Sequence, residues 1–143
     1  MGNENLKILL DGVRQNYDAI ADADNSLENK AGTLLGIEIA IGVGYLALKN
    51  GCLTCMELTG MMVMVVSIGL LIFFNWPKKY FPPSIFPARE GEYRSMTEEN
   101  LLLQSLADTQ LAIKENRKKL NHKARLYKAA LILLILSAFL LIL

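Results

Sequence analysis

Glu38 is the only charged residue among the eighteen that separate Lys30 from Lys49, in KAGTLLGIEIAIGVGYLALK. At about 1.5 Å per residue such a run makes ~27 Å of helix, near the thickness of a hydrocarbon core. A carboxylate at that depth costs several kcal/mol if it stays ionised against lipid, so it must face protein or water, or carry a proton. At about 100° per residue it shares a helix face with Ala31, Gly42 and Tyr45. In a ring of subunits an acid there forms a girdle that favours cations, which makes Glu38, Gly42 and Tyr45 the candidate pore or gate residues. The alternative for Glu38 is a structural acid hydrogen-bonded to Ser67 or to neighbouring backbone. Gly32, Gly36, Ala40 and Gly44 recur at steps of four on a different face. That spacing makes a smooth stripe along which membrane helices approach closely.

A second group is basic: Lys114, Arg117, Lys118, Lys119, Lys123, Arg125 and Lys128. Lys123 to Lys128 suit contact with anionic lipid head groups, worth ~1 kcal/mol per residue near the surface. Lys114, Arg117, Lys118 and Lys119 lie farther from the expected membrane and are the ligand-binding candidates, for a nucleotide or short oligonucleotide. No aromatic platform is interleaved with them, which weakens a general nucleic-acid role. Cys52 and Cys55 form a single CxxC. With no second pair and one histidine, His122, it cannot supply four zinc ligands; a local disulfide or two incidental residues remain. Met61, Met62 and Met64 sit in a continuous apolar run and read as packing. No GxSxG, HExxH, P-loop or dinucleotide fingerprint is present, so an enzyme is not expected, and neither is a cofactor.

These residues need helices to position them. The hydrophobic fraction is 52% and net charge +1 over 143 residues; mean hydropathy is +0.30. The apolar excess falls in Ala31–Leu48, Leu58–Trp76 and Leu126–Leu143, each near the ~17–25 residues that a span requires. The opening MGNENLK does not read as a signal peptide. The expected fold is an all-α membrane protein in five stretches. Residues 1–30 form an amphipathic cytoplasmic helix and 31–76 a transmembrane hairpin. A Pro-rich connector (77–96) leads to a second cytoplasmic helix (97–125), which runs into a third transmembrane helix (126–143). In the first helix Leu6, Leu10, Val13, Tyr17, Ile20 and Leu27 keep a 4-3 spacing, with Asp24 on the apolar seam. Asp24-Asn25-Ser26 either breaks the helix before the membrane or lets it run straight through. In the connector Phe81, Ile85 and Phe86 are placed to pack on the helices. Ser95 and Thr97 start the second long helix, with Glu98 placed for a capping box. Leu102, Leu106, Ile113 and Leu120 continue a 4-3 pattern that also takes in Thr109, Asn116 and Lys123, polar seam residues that set register.

Residues 77–128 hold eleven Lys/Arg against six Asp/Glu, while the hairpin loop holds Lys49 alone among basic residues. The positive-inside rule then predicts a cytoplasmic N-terminus and a periplasmic C-terminus in a bacterial inner membrane. Both cytoplasmic helices run towards the membrane and pair in parallel. Matching Lys30 with Arg125 sets Tyr17 and Ile20 near Ala112–Glu115.

The stretch Asp24-Asn-Ser-Leu-Glu-Asn-Lys30-Ala31-Gly32-Thr-Leu34-Leu35-Gly36 resembles the D-x-KA-x-x-LLG start of the first membrane helix in small bacterial defence effectors of the SLATT and Pycsar types. The plan is similar to that of the channel effector of Hailong systems. Asn116-Arg-Lys-Lys-Leu-Asn-His-Lys123-Ala124, continuing to Lys128-Ala129-Ala130, is similar to the basic helix leading into their last span. Here Asp24 stands six residues before Lys30 rather than beside the Lys-Ala pair. The resemblance implies a homo-oligomer, with a tetramer among the candidate rings. It also implies control by a partner nucleotidyltransferase or its nucleotide product, and a channel-like effector that depolarises or permeabilises the inner membrane in abortive infection by phage. Two other readings of the same residues are a non-conducting membrane scaffold that recruits a cytoplasmic partner, and a holin-like pore.

Overall fold

A computed structural model describes residues 3–49, 51–75, 81 and 96–142. The described chain is helical, with three long elements: α1 (Asn3–Leu48), α2 (Cys55–Phe74) and α3 (Glu98–Ile142). Each is long and apolar enough to cross a membrane. Ile85, Phe86 and Ser95, which carried expectations for the connector and the α3 cap, lie outside the described residues.

Asp24-Asn25-Ser26 does not interrupt α1. Asp24, Ala31 and Glu38 are all buried. They stand seven residues apart, about two turns, so one buried face continues in phase through this polar triplet. A break would throw that face out of register.

Between α1 and α2 the chain turns at Gly51, whose φ of +124° lies in a region that side-chain-bearing residues rarely enter. Thr54 then caps α2. The Glu57 N–H donates to Thr54 Oγ1 (3.3 Å), and the Thr54 N–H donates to Glu57 Oε2 (2.6 Å), a reciprocal capping box. The Thr-Cys-Met-Glu spelling of that box is plain in the sequence, although residues 49–57 read there only as a polar loop. Gly60, Met64, Ser67, Leu71 and Phe74 are the buried residues of α2 beyond Glu57. Their alternating steps of four and three mark a packing seam, with Met62, Val65, Val66, Ile72 and Phe73 exposed on the other side.

The chain divides into two units, Met1–Asp24 with Lys78–Leu120, and Asn25–Pro77 with Asn121–Leu143. In the first, α1 and α3 run parallel: Lys7 pairs with Glu98 at 2.9 Å, and Ile20 shares a cleft with Ile113. Leu6, Leu10, Thr109, Ala112 and Asn116 are its buried residues on the two helices, with Asp24 at its edge. In the second unit Ala31, Leu34, Leu71, Phe74, Ala130 and Leu134 form the core, supported by Leu27, Leu126 and Tyr127. Gly60 brings α2 close to α3: a Cβ there would stand 3.1 Å from Leu140 Cβ and 3.2 Å from the Ser137 carbonyl. Glu28 and Lys123 pair at 2.5 Å with a sequence offset of 95, the offset that matching Lys30 with Arg125 requires.

Candidate functional site

The second unit centres on Glu38, which has 0% of its surface exposed. Its position follows from the helix face anticipated above: Ala31, Leu34, Glu38 and Gly42 are buried while Gly32, Gly36 and Ala40 are exposed. That face packs on α2. Ser67 Oγ lies 2.6 Å from Glu38 Oε1 and 2.9 Å from the carbonyl oxygen of Ala130 on α3. One hydroxyl thus joins three helices. Glu38 Oε2 has no hydrogen-bond partner among the described residues. Glu38 and Gly42 line an open groove of about 200 Å³ between α1 and α2, with Ile39, Val43, Met61 and Val65 among the other lining residues.

Gly42 and Tyr45 do share the Glu38 face, and it turns inward. A Cβ on Gly42 would meet Met64 Sδ at 3.0 Å. The Tyr45 hydroxyl and the Lys49 ammonium both donate to Glu57 Oε1 at the hairpin end. Those two donors, with the Thr54 N–H, hold the Glu57 carboxyl down to about 2. The same carboxylate raises Lys49 above the ordinary lysine range.

Within the protomer, then, Glu38, Gly42 and Tyr45 do not line an open polar path. The expected girdle acid is covered by Ser67, the structural alternative. The reason is the low dielectric of the site: an ionised carboxylate without enough partners costs several kcal/mol, and the Ser67 hydroxyl on the facing helix is the polar group within reach. The small-residue stripe has the opposite fate. Among the described residues nothing lies within 4 Å of a Cβ built on Gly32, Gly36 or Gly44, so they leave that side of α1 uncovered.

The four ligand candidates spread over the surface of α3. Lys114 and Arg117 are exposed. Arg117 lines a cleft of about 260 Å³ with Asn16, Ala19, Ile20, Ala23, Ile113 and Leu120. Lys118 pairs with Glu115 one turn away at 2.9 Å, which lowers the Glu115 carboxyl. Lys119 lies over the Phe81 ring, 4.2 Å from its centroid. Of the four, Arg117 is the one that lines this cleft.

Lys123 is also placed differently from expectation. Its side chain is 4% exposed, ion-paired with Glu28 and 5.6 Å from the centroid of the Phe74 ring. It is a buried residue of the second unit, where a head-group contact calls for an exposed ammonium. A long amphipathic side chain on the seam finds an acid and a ring there, which offsets the loss of water.

Sequence reasoning missed the Tyr45–Lys49–Glu57 cluster, although Glu57 stands three residues after a Thr. It also missed the part played by Asn116, a seam residue in the pattern, which holds the backbone of Phe81 through two hydrogen bonds. Cys52 and Cys55 are free and exposed. Among the described residues no group of His, Cys, Asp or Glu is arranged to hold a metal ion. Comparison of the chain with protein-family models, with curated proteins and with solved structures finds no match.

Proposed function

We propose that this chain is a small multi-spanning membrane protein whose copies associate in the bilayer through the Gly32, Gly36 and Ala40 side of α1, and that the assembly acts as a channel-like effector. The observation that carries the reading is the division of α1 into two faces. One is consumed by packing on α2 and α3; the other keeps glycine-sized residues uncovered along helices apolar enough to span. Any conducting path would lie between copies, because Ser67 covers Glu38 within each one. The resemblance at residues 24–36 and 116–130 supports adding a nucleotide signal from a partner nucleotidyltransferase in a bacterial inner membrane, and the cleft beside Arg117 supports that residue among the four ligand candidates. Membrane-potential dye signal on expression and single-channel current in planar bilayers test the reading. Current that disappears with Gly36→Leu is expected; silent bilayers containing an assembled oligomer count against it.

A second reading is favoured by the covered state of Glu38. The assembly is then a non-conducting scaffold that presents the α1–α3 pair of the other unit to a partner. Intact membrane potential with retained oligomers would support it.

A further inference from the structure

We infer that Glu38 is a proton-binding site in the bilayer interior: a neutral carboxylic acid that donates to Ser67, which in turn donates to the carbonyl of Ala130, closing a three-helix latch. The inference goes beyond the channel reading and stands without it.

It rests on counting protons. The Ser67 hydroxyl carries one hydrogen and faces two oxygens at hydrogen-bond distance, Glu38 Oε1 at 2.6 Å and Ala130 O at 2.9 Å. If Glu38 were ionised, all three atoms would be acceptors sharing one hydrogen, and one of the two short contacts would hold lone pair against lone pair. If Glu38 carries the proton, both contacts are hydrogen bonds: Glu38 O–H to Ser67 Oγ, and Ser67 O–H to Ala130 O. The short first distance suits an O–H···O bond. The same assignment accounts for Oε2, which is buried with no partner among the described residues. As a carbonyl oxygen it is a tolerable orphan; as half of a carboxylate it would leave ionic charge against an apolar groove.

Among the described residues Glu38 has no charged partner: Ser67 is its hydrogen-bond contact, Met64 lies beside it in the same groove, and neither titrates. On α1 the nearest basic residues in sequence are Lys30 and Lys49, more than two turns away. Glu28 and Lys123 are engaged with each other, Lys123 seven residues, about two turns, before Ala130.

Infrared spectroscopy of the full chain in lipid vesicles in heavy water tests this. The carbonyl stretch of a protonated carboxylic acid is expected at neutral pH, present in the wild type and lost in Glu38→Gln. In Ser67→Ala the acid loses its acceptor, and the band should move towards the free-carbonyl position. Exchanging sodium for choline should leave the band in place. Circular dichroism checks that each variant keeps its helices, and Ser67→Ala supplies the answer should Glu38→Gln fail to fold. Wild-type and Glu38→Gln spectra that differ only in ionised-carboxylate bands would overturn the assignment. So would a band indifferent to Ser67→Ala, or one abolished by sodium, which would make the site a cation site.

Discussion

The side chain of Asn116 holds the backbone of Phe81 at both ends. Its Oδ1 accepts the Phe81 N–H at 3.1 Å, and its Nδ2 donates to the Phe81 carbonyl at 3.0 Å. Asn116 is fully buried, and the same carbonyl also accepts from the Tyr17 hydroxyl at 3.0 Å. An amide at a seam position of α3 thereby serves as a docking point for Phe81. Asn116→Leu keeps the volume and deletes both bonds, stranding the Phe81 N–H at a cost of about 1–3 kcal/mol. The Phe81 amide should then exchange with heavy water about 5- to 150-fold faster, as read by hydrogen-exchange mass spectrometry. Unchanged exchange would mean the clamp does not hold this segment in solution.

Two glycines on different helices should behave oppositely. A Cβ on Gly60 would stand 3.1–3.2 Å from Leu140, Leu141 and the Ser137 carbonyl, whereas one on Gly36 would meet nothing among the described residues within 4 Å. Gly60→Leu overpacks the α2–α3 contact and should cost about 1–3 kcal/mol or more, seen as a lower thermal midpoint in detergent. Gly36→Leu should leave that midpoint within ~0.5 kcal/mol of wild type and abolish the oligomer. A cross-linking ladder identical to wild type would remove the α1 stripe as an interface.

Glu57 sets an acid limit on the hairpin. Its carboxyl is held at about 2, below the ordinary 4.5, chiefly by Lys49 and Tyr45. A depressed acid contributes stability that is complete above its unfolded value and is lost as pH falls through the folded one. The thermal midpoint should therefore decline between about pH 4.5 and 2. In Glu57→Gln this part of the decline should be absent, with the midpoint at neutral pH already lowered. Circular dichroism melts across that range give the answer, and parallel curves would exclude Glu57 as the titrating group.

The Glu28–Lys123 pair is asymmetric: the lysine side chain is 4% exposed and the glutamate 44%. Removing the counter-ion of a buried cation costs more than removing the cation itself. Glu28→Ala should lose about 1–3 kcal/mol, less than for a fully buried pair because Glu28 is partly solvated. Lys123→Met should be close to neutral, and the double variant should recover most of the Glu28→Ala loss. A double variant no better than Glu28→Ala alone would show that the pair is not what matters there.

Much of the architecture was legible because it is periodic. Three apolar runs give three helices able to span, and the burial of Thr109, Asn116 and Lys123 follows from their places in a 4-3 pattern. Even the α1–α3 register was readable, since the positive charges at the expected membrane surface carry the offset found between Glu28 and Lys123. The two faces of α1 were also separable, because 100° per residue puts Glu38 with Gly42 and Tyr45 and apart from Gly32 and Gly36.

What periodicity could not decide is which face meets what. The amino-acid pattern shows Glu38 as a lone acid in an apolar helix and a second, glycine-sized face beside it. The packing of the helices is what turns the acid's face inward on α2 and leaves the glycine face uncovered by the described residues. The physical reason is that a helix pattern fixes directions but not partners. Whether a buried carboxyl meets water, a sister chain or a serine depends on how α2 and α3 are brought against it: Ser67 meets Glu38 across 29 residues of chain, and Ala130 meets Ser67 across 63. Lys123 teaches the same lesson, since a lysine near a membrane surface can as well be buried once Glu28 and Phe74 are brought beside it.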